Sequence, residues 1–124
     1  ATFKFGRIYQ YDYEPIFILK REGGKLINNC LPNETTTFEI DRKVNNPIHP
    51  TERPIELVEK LLLNHTNKND IVYEPFCGSG TTLISCERNN RQCLAIELSP
   101  QFCNVIINRW EILTGKKAKK ITQK

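Results

Sequence analysis

At 124 residues with 39% apolar and 26% charged residues, the chain has the composition of one soluble globular domain at most. No apolar run approaches the roughly 20 residues that a membrane-spanning helix needs, and the first seven residues lack a signal-peptide core. The net charge of +4 is modest, and much of it lies in the run Lys116-Lys-Ala-Lys-Lys120 and at Lys124. That run reads as a solvated tail, and it permits phosphate contact without establishing it. Cys30, Cys77, Cys86, Cys93 and Cys103 are odd in number and include no C-x-x-C pair. They point to free thiols in a reducing, cytoplasmic setting, with no metal site.

In chain order, residues 1 to 30 carry the apolar run Pro15-Ile-Phe-Ile-Leu19, bounded by Arg21-Glu-Gly-Gly24. This predicts a strand and a turn. Tyr9, Tyr11 and Tyr13 precede it, as edge packing or as a base-stacking surface, with packing favoured. Residues 31 to 53 are polar and broken by Pro32, Pro47 and Pro50. They predict a long loop with at most one short strand near Thr36 to Ile40. From 54 to 66 the period predicts a helix that opens on Pro54, with Leu57, Val58, Leu61 and Leu62 on one face. Asn64 to Asn69 is its polar break, and His65 reads as surface.

Residues 70 to 114 predict strand, helix, strand, helix: Ile71 to Glu74, Gly80 to Asn90, Gln92 to Glu97, and a helix capped by Ser99 with Pro100 first inside. Phe102, Val105, Ile106, Trp110 and Leu113 share a face expected to meet the sheet. Gly115 suits the C-terminal cap. A βαβ unit implies parallel strands joined by a right-handed crossover.

The chemistry concentrates at Cys77-Gly-Ser-Gly-Thr81. Glycine permits positive φ and close ligand approach, and open α/β sheets bind ligands at the carboxyl ends of their strands. Three nucleotide readings compete. A phosphate-binding loop requires a Lys where the chain has Thr81-Thr82. A dinucleotide fingerprint requires a third glycine, absent from Gly78-Ser-Gly80-Thr-Thr-Leu83. Glu74 before the turn would also repel a pyrophosphate, whereas it suits an ammonium. Glu97, at the next strand end, suits ribose hydroxyls. An amine at one end and a ribose at the other describe S-adenosylmethionine. A structural βαβ turn without ligand is the plain alternative.

Glu74-Pro-Phe-Cys-Gly-Ser-Gly-Thr-Thr82 closely resembles the D-P-F-x-G-S-G-T-T motif of DNA amino-methyltransferases, which methylate adenine N6 or cytosine N4. His49-Pro-Thr-Glu-Arg-Pro54 resembles their H-P-T-x-K-P motif, and Ala95-Ile-Glu97 resembles their acid-ended second strand. The segment from Arg109 to Ala118 looks like the closing helix of phage and prophage versions. Tyr13-Glu14 and the run after it resemble the segment that follows the catalytic half. Glu74 replaces the usual Asp and Arg53 the usual Lys, both keeping the charge, although Arg can hold a carboxylate bidentately.

The resemblance implies an α/β fold: a partial Rossmann-like S-adenosylmethionine-dependent methyltransferase, mostly parallel in its sheet, with flanking helices. It implies that Glu74, Pro75 and the turn Phe76, Cys77, Gly78, Ser79, Gly80 and Thr81 line the methionine and ribose portion. Glu97 would bind the ribose hydroxyls, Leu98 would pack near the adenine, and His49, Thr51 and Arg53 would hold the methionine end. For His49 a turn between prolines is the structural alternative. The family's catalytic D/N/S-P-P-Y/F/W motif, which holds the flipped base, has no counterpart here. Asn46-Pro-Ile-His49 lacks the second proline and the aromatic residue.

The expected function is therefore the cofactor-binding part of a DNA amino-methyltransferase, inactive alone, with DNA as partner of the complete enzyme. Residues 54 to 124 form the cofactor unit and residues 1 to 30 follow the catalytic half. Exposed sheet edges then predict a homodimer, a separate completing segment, or limited stability. The alternatives are a non-catalytic nucleic-acid or partner-binding module on the same fold, and a dehydrogenase fragment. Glu74 and the missing glycine count against the latter.

Overall fold

The computed structural model describes residues 13–41 and 53–122. Tyr9, Tyr11, His49, Thr51, the string Asn46 to His49 and Lys124 lie outside the described residues. The elements are α1 (Ile55–His65), β1 (Ile71–Glu74), α2 (Thr81–Arg88), β2 (Gln92–Ala95) and α3 (Pro100–Thr114).

β1 and β2 form a two-stranded parallel sheet, with Ile71 opposite Gln92 and Glu74 opposite Ala95. The βαβα order expected from the sequence is present. Its boundaries shift by a few residues, because Gly80 caps α2 from outside at φ 89 and Asn89 closes it. Beyond Ala95 the chain still follows β1. Ile96 donates to the Glu74 carbonyl at 2.9 Å and accepts from the Cys77 N–H at 3.0 Å, so the strand passes directly into the turn.

Neighbouring strands lie about 4.8 Å apart, and one helix about 10 Å across covers such a pair. α2 takes that place and touches both strands, α1 and α3. The expectation that α3 meets the sheet is corrected: it packs on α2 instead. Ile106 is buried, Phe102, Val105 and Trp110 are half-buried, and Leu113 is exposed. A cleft of about 370 Å³ between α3 and β2 is lined by Leu83, Cys86, Cys93, Ile106, Ile107 and Trp110. The opposite sheet face, formed by Ile71, Tyr73, Leu94 and Ile96, is exposed.

Ser99 and Pro100 start α3 as read from the sequence, and Gly115 ends it at φ 69 with its N–H on the Glu111 carbonyl. Pro54 sits one position earlier than expected, at the N-cap of α1. At the other end of α1, Asn64 and His65 belong to the helix rather than to a break. Asn64 is buried because its amide donates to Glu34 Oε1 at 3.1 Å. His65 is half-buried, with Nδ1 3.1 Å from the Ile27 carbonyl.

The buried Arg91 ties this end of α1 to the α2–β2 turn. Its Nη2 and Nε donate to the carbonyl and hydroxyl of Thr66 at 2.9 and 3.0 Å, and its Nη1 to the Asn89 carbonyl at 2.6 Å. Carbonyls at helix ends lack partners within the helix, and a guanidinium with five donors in one plane collects them.

Pro15 to Leu19 form no strand, and neither do Thr36 to Ile40. A strand exists only with a partner edge, and among the described residues β1 and β2 pair only with each other. The segment from 27 to 38 instead lies along α1 through polar contacts. Asn29 Nδ2 donates to the Leu63 and Thr66 carbonyls at 3.2 and 3.1 Å, and Lys60 pairs with Glu34 and stands over the Phe38 ring.

Candidate functional site

The sheet brings two carboxylates to its carboxyl end, and both grip the turn between β1 and α2. Glu74, the last residue of β1, accepts from the Phe76 N–H at 3.0 Å through one oxygen and from the Thr82 hydroxyl at 2.9 Å through the other. Glu97, two residues past β2, accepts from the Gly78 N–H at 2.7 Å and the Ser99 N–H at 2.8 Å. One acid thus fixes the entrance and exit of the turn, and the other fixes its middle.

The turn folds this way because Gly78 and Gly80 hold φ of 55 and 89, a region that side chains disfavour. Gly80 N–H closes the turn onto the Cys77 carbonyl at 2.9 Å. Ser79 and Thr81 are buried, and Pro75 is half-buried. Two apolar side chains do the opposite: Phe76 is 87% exposed and Leu98 is 95% exposed, each one or two positions from an acid. The turn is therefore flanked by two carboxylates and two bare apolar groups.

Cys77 is buried beside these acids. Burial first, then the neighbouring Cys93, Glu74 and Glu97, push its thiol up to about 11, so it stays neutral at physiological pH. That suits a packing group and disfavours a nucleophile, since the thiolate is the reactive form. Contact with Cys86, followed by burial, likewise raises the Cys93 thiol. Among the described residues no group of His, Cys, Asp or Glu could hold a metal ion. No helix among them is long and apolar enough to cross a membrane.

The structure therefore brings together Glu74, Pro75, Phe76, Cys77, Gly78, Ser79, Gly80, Thr81, Glu97 and Leu98. The Arg53 guanidinium pairs with Glu14 at 3.3 Å, both side chains being exposed. Three contributors went unread in the sequence. The Thr82 hydroxyl and Ser99 N–H hold the acids, and Arg109 of α3 donates to the Ser79 carbonyl at 2.9 Å and hydroxyl at 3.2 Å. Arg109 follows Ile106 by one helical turn on the buried face, which was the available signal.

Comparison with known proteins follows the same line. The DNA methylase family of the N6/N4 type matches residues 6–109. The type II methyltransferase M.Cfr9I of Citrobacter freundii is 33% identical over 101 residues, covering 82% of this chain and 32% of that protein. The orphan methyltransferase M.BamHII of Bacillus amyloliquefaciens is 39% identical over 61 residues, covering 49% of this chain and 23% of that protein. The chain thus spans a third or less of the length of these curated relatives. Among solved structures, the M1.HpyAVI–SAM complex superposes with a TM-score of 0.62 at 33% identity, over 70% of this chain and 45% of that one. The family read from the motifs holds, and the chain belongs to the N6/N4 DNA methylase family.

Proposed function

We propose that this chain is the S-adenosylmethionine-binding portion of a DNA methyltransferase that modifies an exocyclic amino group of adenine or cytosine. The observation that carries the reading is the pair Glu74 and Glu97, which close on one glycine turn from adjacent strand ends. The donor set fits the group. Acceptor-only carboxylates suit an ammonium and ribose hydroxyls, and they disfavour a phosphate. Exposed Phe76 and Leu98 offer apolar surface to an adenine and a methionine chain. The relative solved with SAM supports the same assignment.

In this reading Glu74 and the turn Pro75 to Thr81 hold the methionine end. Glu97 holds the ribose and Leu98 covers the base, with His49, Thr51 and Arg53 contributing at the methionine end. The bound cofactor supplies the transferable methyl group. In this reading these residues bind and orient it. The 124 residues contain no Pro-Pro pair, and in this reading they supply the cofactor site rather than the residues that receive the flipped base. The cofactor unit spans residues 54 to 124 and includes every described element, and the sheet is a partial one. DNA is then a partner of the assembled enzyme, and this stretch does not methylate alone.

A calorimetric titration with S-adenosylhomocysteine tests the reading, with Glu97→Ala and Glu97→Gln as controls. Saturable binding that NADH does not displace, weakened at least about tenfold in the variants, is expected. A folded chain that binds nothing would mean a remnant or a binding module instead.

A further inference from the structure

The cofactor turn is held on one side by its own acids and on the other by a helix that follows it in sequence. α3 meets the turn with two residues one helical turn apart, Ile106 and Arg109. Ile106 is buried and so close to Gly80 that a Cβ built there would lie 2.9 Å from Ile106 Cγ1. Arg109 Nη1 meets the adjacent residue, Ser79, at its carbonyl and hydroxyl, 2.9 and 3.2 Å away.

The Ser79 carbonyl has a particular need. The ladder of α2 begins one residue later, where the Gly80 carbonyl accepts from the Ile84 N–H at 2.9 Å. Ser79 is 6% exposed, so water is not at hand to replace a donor, and a buried acceptor left unmatched is costly. A cation at a helix N-terminus opposes the helix dipole. The guanidinium is therefore not explained by the electrostatics of α2. What it meets there is the turn.

We infer that Arg109 is a positioning residue for the cofactor turn: by fixing the Ser79 carbonyl while Ile106 fills the space beside Gly80, α3 sets the path on which Gly78 to Thr81 meet the ligand. This rests on the cofactor reading given above. The acids bond to Phe76, Gly78, Thr82 and Ser99, whereas the guanidinium bonds to the carbonyl and hydroxyl of Ser79. Arg109 holds that carbonyl before any ligand arrives, which is preorganisation. The turn thus depends on α3 for its shape although it precedes α3 in the chain.

The test uses the full chain with Arg109→Ala and Arg109→Lys, and Lys117→Ala as an exposed control. Two quantities are read: affinity for S-adenosylhomocysteine, and amide hydrogen exchange resolved at Gly78 to Thr81 and at Ile84 to Arg88. Arg109→Ala is expected to weaken binding about tenfold. It should also speed exchange at the turn amides while the interior of α2 keeps its protection. Arg109→Lys, which can still reach one oxygen as a point charge, should fall between it and the wild type. Unchanged affinity with unchanged turn exchange would overturn the inference. So would a parallel rise in exchange along the turn and α2, which would make Arg109 a packing residue only. If the wild-type chain binds no S-adenosylhomocysteine, the cofactor reading fails by itself, and the exchange pattern still decides the role of Arg109.

Discussion

The unit from residue 70 to 115 and the segment from 13 to 41 make an instructive pair. Both contain β-branched and aromatic runs that suit strands. In the first, Ile71–Glu74 and Gln92–Ala95 find each other, and α2 covers one face of the pair. In the second, Phe17 and Leu19 are 81% and 89% exposed and no ladder forms. The later part of that segment is ordered against α1, but by Asn29, Glu34 and the Lys60 ammonium rather than by buried apolar area. Strand propensity is a statement about side chains. A strand is a statement about two backbones, and only one of these regions contains both.

The largest expected effect falls within the tightly bonded unit. Arg91→Ala leaves the Thr66 and Asn89 carbonyls without their charged donor, at a cost of about 3 kcal/mol on the scale of bonds to ionised groups. A urea melt should show the midpoint falling. Gly80→Ala follows at about 2 kcal/mol, because a positive φ and the contact with Ile106 act together. Combining it with Ile106→Ala should lose less than the sum of the singles, since the second change opens the space that the first requires.

The contact of the second region with α1 is sensitive to pH. Hydrogen bonds from Lys60 first and Asn64 second hold Glu34 down at about 2, against an ordinary value of 4.5. A depressed carboxylate contributes its stability above the unfolded value and loses it as pH falls through the folded one. The contribution of Glu34 should therefore be complete above pH 4.5 and fade toward pH 2. Melts of Glu34→Gln should show a shallower acid dependence than the wild type across that window. The smallest effect is expected in the unpaired run: Phe17→Ser should change stability by less than about 0.5 kcal/mol, as exposed substitutions do. A larger loss would mean that Phe17 packs in solution, and the contrast between the two regions would collapse.

Much of the site could be read in the chain itself because its signals are local. The glycine turn, the acids at two strand ends, Ser99-Pro100 and Gly115 each act within a few residues. What escaped depended on distance in sequence. Periodicity showed that Ile106 and its neighbours face inward, but not that they meet α2 and the turn rather than the strands. A polar residue such as Asn64 reads as a break until its partner Glu34, 30 positions away, is known. Nothing local in the sequence marks Arg91, and only the fold shows that two helix ends converge on it.

Trp110 is the chain's single tryptophan, and its indole N–H joins α3 to α2 by reaching Glu87 Oε2 at 3.1 Å. The molecule therefore carries one indole, excitable apart from its four tyrosines and half-buried at the joint that seats the helix behind the turn. Its emission colour and quenching by iodide report the docking of α3 without a label, undiluted by signal from any other indole.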